Sequence, residues 1–149
     1  MKLYLHILII LNFLFSNLIF SQEETTKFYI TELRGDISLE MEINNLESNK
    51  GPIYIRILDE NENPVIVGTS TVINYSSEIS FDSISPGKYA IQFFHDENEN
   101  QKMDFNLIGI PKEKFGSSNN VKPVLGPPKF EKMLINLNEN KKIIIIPVN

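Results

Sequence analysis

SPGKYAIQFFH, residues 85–95, reads as a turn followed by a strand. Ser85-Pro86-Gly87 is a strong chain-reversal signal, because proline presets one backbone angle and glycine accepts conformations closed to other residues. From there Tyr89, Ile91 and Phe93 alternate with Ala90, Gln92 and Phe94. A period of two places the first set on one face and the second on the other, which is the signature of a core β-strand.

Working outward, the same period recurs. Ile37, Leu39, Met41 and Ile43 alternate with Ser38, Glu40, Glu42 and Asn44, giving a strand with one wet face. Ile53, Ile55 and Ile57 alternate with Tyr54, Arg56 and Leu58, and residues 59–64 break this run before residues 65–67 resume it as a hairpin. The segment 44–52 is turn-rich and holds a chain reversal. Residues 25–32 are a β-prone lead-in, 69–77 a weak strand or extended loop, and Ile79 with Phe81 mark a further short strand. Residues 130–137 and 143–148 read as two last strands joined by a hairpin-like turn. No apolar stripe at helical spacing persists over three turns. The expected fold is all-β: a single antiparallel β-sandwich of seven to eight strands, immunoglobulin-like or prealbumin-like.

Past the core strand, the chain leaves regular periodicity for residues 96–120, DENENQKMDFNLIGIPKEKFGSSNN. Asp96, Asn98, Asn100 and Asp104 stand at relative positions 1, 3, 5 and 9, with the Lys102 carbonyl at position 7. These positions carry oxygen ligands in a calcium loop, so they are the candidate metal ligands and calcium the candidate ion. Two features depart from the full pattern. Position 6, where a sharp turn wants glycine, is Gln101, and position 12, where a bidentate glutamate belongs, is Leu107. Two carboxylates on a non-ideal turn point to weak binding, on the order of 10⁻⁴–10⁻³ M. Glu97, Glu99 and Glu113 are further acidic candidates among which spacing does not choose. A plain acidic turn is the alternative.

The pentapeptide Asp-Glu-Asn-Glu-Asn occurs twice, at 59–63 and 96–100. Counted from Asp59, the ninth position is Val67 and Pro64 interrupts the loop. No second carboxylate arrives, so the first copy reads as a solvated hairpin turn.

Residues 1–21 read as a cleaved signal peptide: Lys2 precedes an apolar run to Phe20, and small Ser21 stands before Gln22. A retained membrane helix is the rival reading. All 19 acidic residues follow this segment, with every basic residue except Lys2, so the remainder is one unit more negative than the −5 of the whole chain. An acidic chain without a basic run argues against nucleic acid as partner. Residues 22–149 fit one domain by size. With no cysteine there is no disulfide framework. With His95 the one histidine after residue 21, zinc sites built on several His or Cys and thiol nucleophiles are excluded.

His95 reads either as a catalytic base beside the loop or as a hydrogen-bonded core or rim histidine. Phe115-Gly-Ser-Ser-Asn-Asn120 reads either as a ligand loop or as a tight turn, with Gly116 at positive φ and the asparagines capping backbone groups.

The string His95-Asp96-x-Asn98-x-Asn100 with Asp104, then Gly109-Ile110-Pro111, Phe115-Gly116-x-Ser118-Asn119-Asn120 and Gly126-Pro127-Pro128-x-Phe130, resembles a bacterial exported family of unknown function, number 2141. The likeness runs over residues 37–148. Its usual pattern has glycine where this chain has Gln101. The resemblance implies an exported β-sandwich domain and no established activity. A looser, fold-level likeness is to calcium-stabilised prealbumin-like repeats of surface proteins.

The expected role is therefore an exported, non-enzymatic binding or structural module with a cation-stabilised acidic loop. Its partner would be a protein or glycan at the cell surface, with no membrane span once the signal is removed. The alternative is a hydrolase of cell-surface glycans or esters using His95 and the nearby carboxylates. An uncleaved, membrane-tethered protein is the third reading.

Overall fold

A computed structural model describes residues 27–30, 34–124 and 127–148. The expected signal peptide and Gly126 lie outside these residues. Two sheets face one another. The larger has the order β1 (Lys27–Ile30), β4 (Pro64–Ser70), β3 (Ile53–Asp59), β6 (Gly87–His95), with β7 (Phe115–Ser117) and β8 (Ile135–Leu137) both on the free edge of β6. The smaller has the order β5 (Ser77–Ile84), β2 (Ile37–Ile43), β9 (Lys141–Ile145). This is the expected all-β sandwich.

The alternations seen in the sequence become the core. Leu39, Met41 and Ile43 of β2 are buried, as are Ile53, Ile55 and Ile57 of β3 and Tyr89, Ile91 and Phe93 of β6. On the other face of the larger sheet, Tyr54 stacks on its cross-strand partner Phe94 with centroids 5.1 Å apart and planes 10° apart. Arg56 donates from Nε to Gln92 Oε1 at 2.6 Å on the next rung of that face. Such cross-strand pairs fix register as much as they stabilise, at about 0.2–1 kcal/mol each.

Three local expectations change. Residues 138–140 do not close a hairpin. They carry the chain from β8 in the larger sheet to β9 in the smaller, where β9 pairs with β2 in parallel, whereas the other strand pairs are antiparallel. Passing from one sheet to the other lets Ile135 and Leu137 bury from one sheet and Ile145 from the other. Residues 130–137 are not one strand, because Phe130–Met133 forms a single helical turn before β8. Its buried Met133 lies over the outer face of β6, where Gln92 Nε2 donates to the Met133 sulfur. Lastly, residues 115–117 form the short strand β7, and Val148 returns to exchange main-chain hydrogen bonds with Phe115 at 2.7 and 2.9 Å.

The first pentapeptide copy is the β3–β4 hairpin turn, as expected. Asp59 Oδ1 accepts the Asn61 and Asn63 amides at 2.9 Å each. Hydrogen bonds from the Asn63 side chain and amide hold the Asp59 carboxyl below the usual carboxylate range. Among the described residues no helix is long and apolar enough to cross a membrane.

Candidate functional site

The site begins where β6 ends. His95 and Asp96 dock on the tripeptide Lys50-Gly51-Pro52, which leads into β3. Pro52 O accepts the Asp96 amide at 3.0 Å, and Lys50 O accepts from His95 Nε2 at 2.8 Å. A carbonyl can only accept, so Nε2 carries the proton. From the other side, Lys114 O accepts the His95 amide at 2.8 Å. Between Lys50 and Pro52, Gly51 has φ +71, and a Cβ built on it would lie 1.9 Å from Asp96 O. Only glycine fits there, both for its backbone angle and for the approach of the β6 exit. His95 is fully buried, with its Nδ1 3.7 Å from Glu97 Oε1. Of its two sequence readings, the hydrogen-bonded histidine is the one this geometry matches.

Asp96 is also fully buried, unusual for a carboxylate. Its oxygens accept the loop's own amides, Oδ1 from Asn100 at 3.1 Å and Oδ2 from Gln101 at 2.7 Å. Each asparagine then folds the chain two residues further: Asn98 Oδ1 accepts the Asn100 amide and Asn100 Oδ1 accepts the Lys102 amide, both at 3.1 Å. Both side-chain amides converge on a single oxygen, with Asn98 Nδ2 2.6 Å and Asn100 Nδ2 2.9 Å from Asp104 Oδ2. The loop therefore gathers Asn98, Asn100 and Asp104 directly and ties Asp96 to them through the Asn100 amide. Lys102 sits at the exposed outer turn. Among the described residues no group of three or more His, Cys, Asp or Glu side chains is placed to hold a metal ion. What meets at Asp104 Oδ2 is the Nδ2 end of each asparagine, while the asparagine oxygens and those of Asp96 accept main-chain amides of the loop.

Gln101 shows what the absent glycine costs. It is held at φ +66, in the left-handed region where a Cβ is strained by about 1–2 kcal/mol. Because its amide is what Asp96 holds, glycine would keep the hydrogen bond and relieve the strain, less the extra freedom of the unfolded chain. Gln101→Gly is expected to raise stability by about 0.5–1 kcal/mol. Urea denaturation measures this, and a lower midpoint would contradict it.

Beyond Asp104 the chain forms a second tight turn. Asn106 Oδ1 accepts the Ile108 and Ile110 amides at 3.0 Å each, and Gly109 takes φ +79. This turn holds out an apolar tip, with Leu107 and Ile108 the most exposed large hydrophobic residues beside Val124, and Phe105 and Ile110 about half exposed. The returning segment is pinned by the Lys112 amide on Asp104 O at 2.9 Å. It brings in Glu113, 6 % exposed, whose Oε2 accepts the Asp104 amide at 3.1 Å while Oε1 has no partner. Burial raises the Glu113 carboxyl above its ordinary range; the Asp104 amide offsets part of this, and the charges of Asp96, Asp104 and Glu97 add to it.

The Gly-Ser-Ser-Asn-Asn stretch resolves toward the turn reading, with one correction. Gly116 does not take positive φ. It lies in β7, and glycine is needed because a Cβ would come 2.6 Å from the Phe93 ring. The left-handed residues are Asn119 and Asn120, at φ 61 and 51. Asn119 Nδ2 donates to the carbonyls of Lys132 and Leu134 at 2.9 and 3.0 Å. Asn120 donates to Ile144 O at 3.2 Å and accepts the Ile146 amide at 2.7 Å, standing in for a strand along the outer edge of β9. An open recess of about 420 Å³ lies beside them, lined by Asn119, Asn120, Asn136 and Lys141 among others. The side-chain amides of Asn119 and Asn120 there are already engaged by main chain.

Gly51 and the carbonyls beside it were beyond sequence reasoning. Their segment shows only as a turn, and what makes it part of the site is a contact with residues more than forty positions later. Glu113 was one of three undecided acids until the fold placed it on the Asp104 amide. Comparison with curated proteins and with solved structures finds no match. Residues 41–145, which span the whole of this site and most of both sheets, match the family described as "Uncharacterized protein conserved in bacteria (DUF2141)". The chain therefore belongs to the DUF2141 family.

Proposed function

We propose that this protein is an exported, non-enzymatic binding module in which calcium at residues 96–104 stiffens a loop that presents an apolar tip to a protein partner. The observation that carries the reading is the convergence of Asn98, Asn100 and Asp104 side chains at one point, over a buried Asp96 that already shapes the loop. Asp96, Asn98, Asn100, Asp104 and the Lys102 carbonyl supply hard oxygen donors for the ion. The tip that follows exposes Phe105, Leu107, Ile108 and Ile110 together. Clustered exposed aliphatic residues suit an apolar groove on a protein better than a glycan, whose hydroxyls need hydrogen-bonding partners. His95 favours binding over hydrolysis, since a fully buried ring held on a main-chain carbonyl offers no face to a substrate.

An ion that binds only the folded state stabilises it by mass action. For a dissociation constant on the order of 10⁻⁴–10⁻³ M, 10 mM calcium is expected to add about 1.4–2.7 kcal/mol. The test is thermal unfolding in EDTA and in 10 mM calcium, with Asp104→Ala alongside. A calcium-dependent rise in Tm that the variant lacks supports the reading. Superimposable curves for the wild-type protein would refute it.

A further inference from the structure

We infer that Asn120 is an edge guard: its side chain occupies the outer edge of β9 and keeps that strand from pairing with β9 of a second copy of the chain.

The sequence of β9 makes a guard necessary. Residues 143–146 are four consecutive isoleucines, β-branched residues that favour strands, and Pro147 follows them. Charge on the strand is confined to Lys141 and Lys142 at its start. β9 is the last strand of the smaller sheet, with β2 on one side and, among the described residues, no strand on the other. Such an edge presents main-chain donors and acceptors to any extended chain, and an uncharged apolar edge pairs most readily. Ile144 and Ile146 are each about half exposed beside it.

A second copy is the occupant this edge fits, because the strand matches itself. Set antiparallel about a two-fold axis with Ile144 opposite Ile144, it places Ile143 opposite Ile145, so that isoleucine meets isoleucine throughout that run. The pairing would join two three-stranded sheets into one. It needs the outward main-chain groups of β9, Ile144 O and Ile146 N among them.

Those two groups are already taken. Asn120 Nδ2 donates to Ile144 O at 3.2 Å, and its Oδ1 accepts the Ile146 amide at 2.7 Å. A donor for one carbonyl and an acceptor for the amide two residues on is what a residue of an added parallel strand would supply. A side chain does this without creating a new edge behind it. The residues before Asn120 hold it in place. Asn119 Nδ2 donates to the Lys132 and Leu134 carbonyls at 2.9 and 3.0 Å, and Ser118 Oγ accepts the Ile91 amide of β6 at 3.0 Å. Asn119 and Asn120 both take left-handed backbone, at φ 61 and 51, which asparagine accepts more readily than most residues. Three consecutive residues thus tie β6, the turn before β8 and the edge of β9 together.

The test is sedimentation velocity over a range of protein concentrations on the wild type, Asn119→Gly, Asn120→Gly and the double variant Asn120→Gly with Ile144→Lys. Glycine keeps the left-handed backbone and removes the side-chain bonds. The wild type and Asn119→Gly are expected to sediment as monomers, while Asn120→Gly shifts to a dimer as concentration rises. Asn119→Gly controls for a loosened fold, since it loses two bonds from the same turn and leaves the β9 edge covered. Lysine at position 144 sets like charges opposite one another across the two-fold axis and should return the double variant to monomer. A monomeric Asn120→Gly overturns the inference, as does a wild type that associates equally. Equal association of the two glycine variants overturns it too, because the dimer would then report a weakened fold and not an opened edge. A dimer that survives Ile144→Lys shows that β9 does not pair with itself and has the same consequence. If Asn120→Gly does not fold, Asn120→Ser decides. Serine is too short to hold both groups, so association supports the guard and a monomer overturns it.

Discussion

Gly51→Ala is expected to destabilise the protein by about 4 kcal/mol or more, a large part of the 5–15 kcal/mol that a domain has to lose. Two costs add. At φ +71 any residue with a Cβ is strained by about 1–2 kcal/mol. The new Cβ would also sit 1.9 Å from Asp96 O, a main-chain atom that cannot rotate aside. Relief requires parting the entry of β3 from the exit of β6. That movement takes with it the Asp96 amide on Pro52 O and the His95 ring on Lys50 O. Each leaves a buried polar group unpaired, at about 1–3 kcal/mol apiece. Gly109 separates the two costs, because it too has positive φ, +79, but nothing lies within 4 Å of where its Cβ would be. Gly109→Ala should therefore lose only about 1–2 kcal/mol. Urea denaturation of the two variants compares them directly. Equal losses would mean that the docking of β6 on the 50–52 segment carries no weight. The same experiment in calcium should find the ion's stabilisation abolished in Gly51→Ala, since Asp96 is no longer held under the loop.

What could be read from the chain beforehand divides along one line. Strands β2, β3 and β6 were legible because their alternation is written in consecutive residues and each buries one face completely. The grouping of the loop residues was legible for the same reason, since Asn98, Asn100 and Asp104 meet at one carboxylate oxygen and Asp96 is tied to them through the Asn100 amide, all within nine residues. Features that depend on a distant partner were not. Strand β7 is three residues with a glycine at its centre, chosen by the Phe93 ring and leaving no pattern of its own. The parallel pairing of β9 with β2 follows from residues 138–140 carrying the chain from one sheet to the other, and a polar turn reads the same whether it doubles back or changes sheet. Residues 130–133 coil because the outer face of β6 needs a cover, which Met133 provides. Glu113 and Gly51 belong with these: one meets the loop from nine residues beyond its partner Asp104, the other from forty-five residues before Asp96.

Asp96 and Asp104 are both candidate ligands, yet their removal should have very different consequences when no ion is present. Asp96 is fully buried and organises main chain. In Asp96→Ala the Gln101 amide loses its acceptor, and with it a charge-assisted hydrogen bond of 2.7 Å, while the Asn100 amide keeps Asn98 Oδ1. Hydrogen bonds to charged groups contribute about 1.5–3 kcal/mol, and the emptied site adds a packing loss. A total near 3 kcal/mol is expected in EDTA. Asp104 accepts its two bonds from the exposed side chains of Asn98 and Asn100, which water can satisfy. Asp104→Ala in EDTA should cost under about 1 kcal/mol, and its backbone bonds to Glu113 and Lys112 persist. In calcium both variants should lack the ion-dependent gain. Denaturant melts of the two proteins, each with and without calcium, yield four stabilities. The expected pattern is a large and a small loss without calcium, and an absent calcium increment in both. Equal losses in EDTA would show that the buried Asp96 does not shape the loop. A calcium increment surviving in Asp96→Ala would show that the ion is held without position 1, and the ladder of oxygens beginning there would have to give way to a site centred on Asp104.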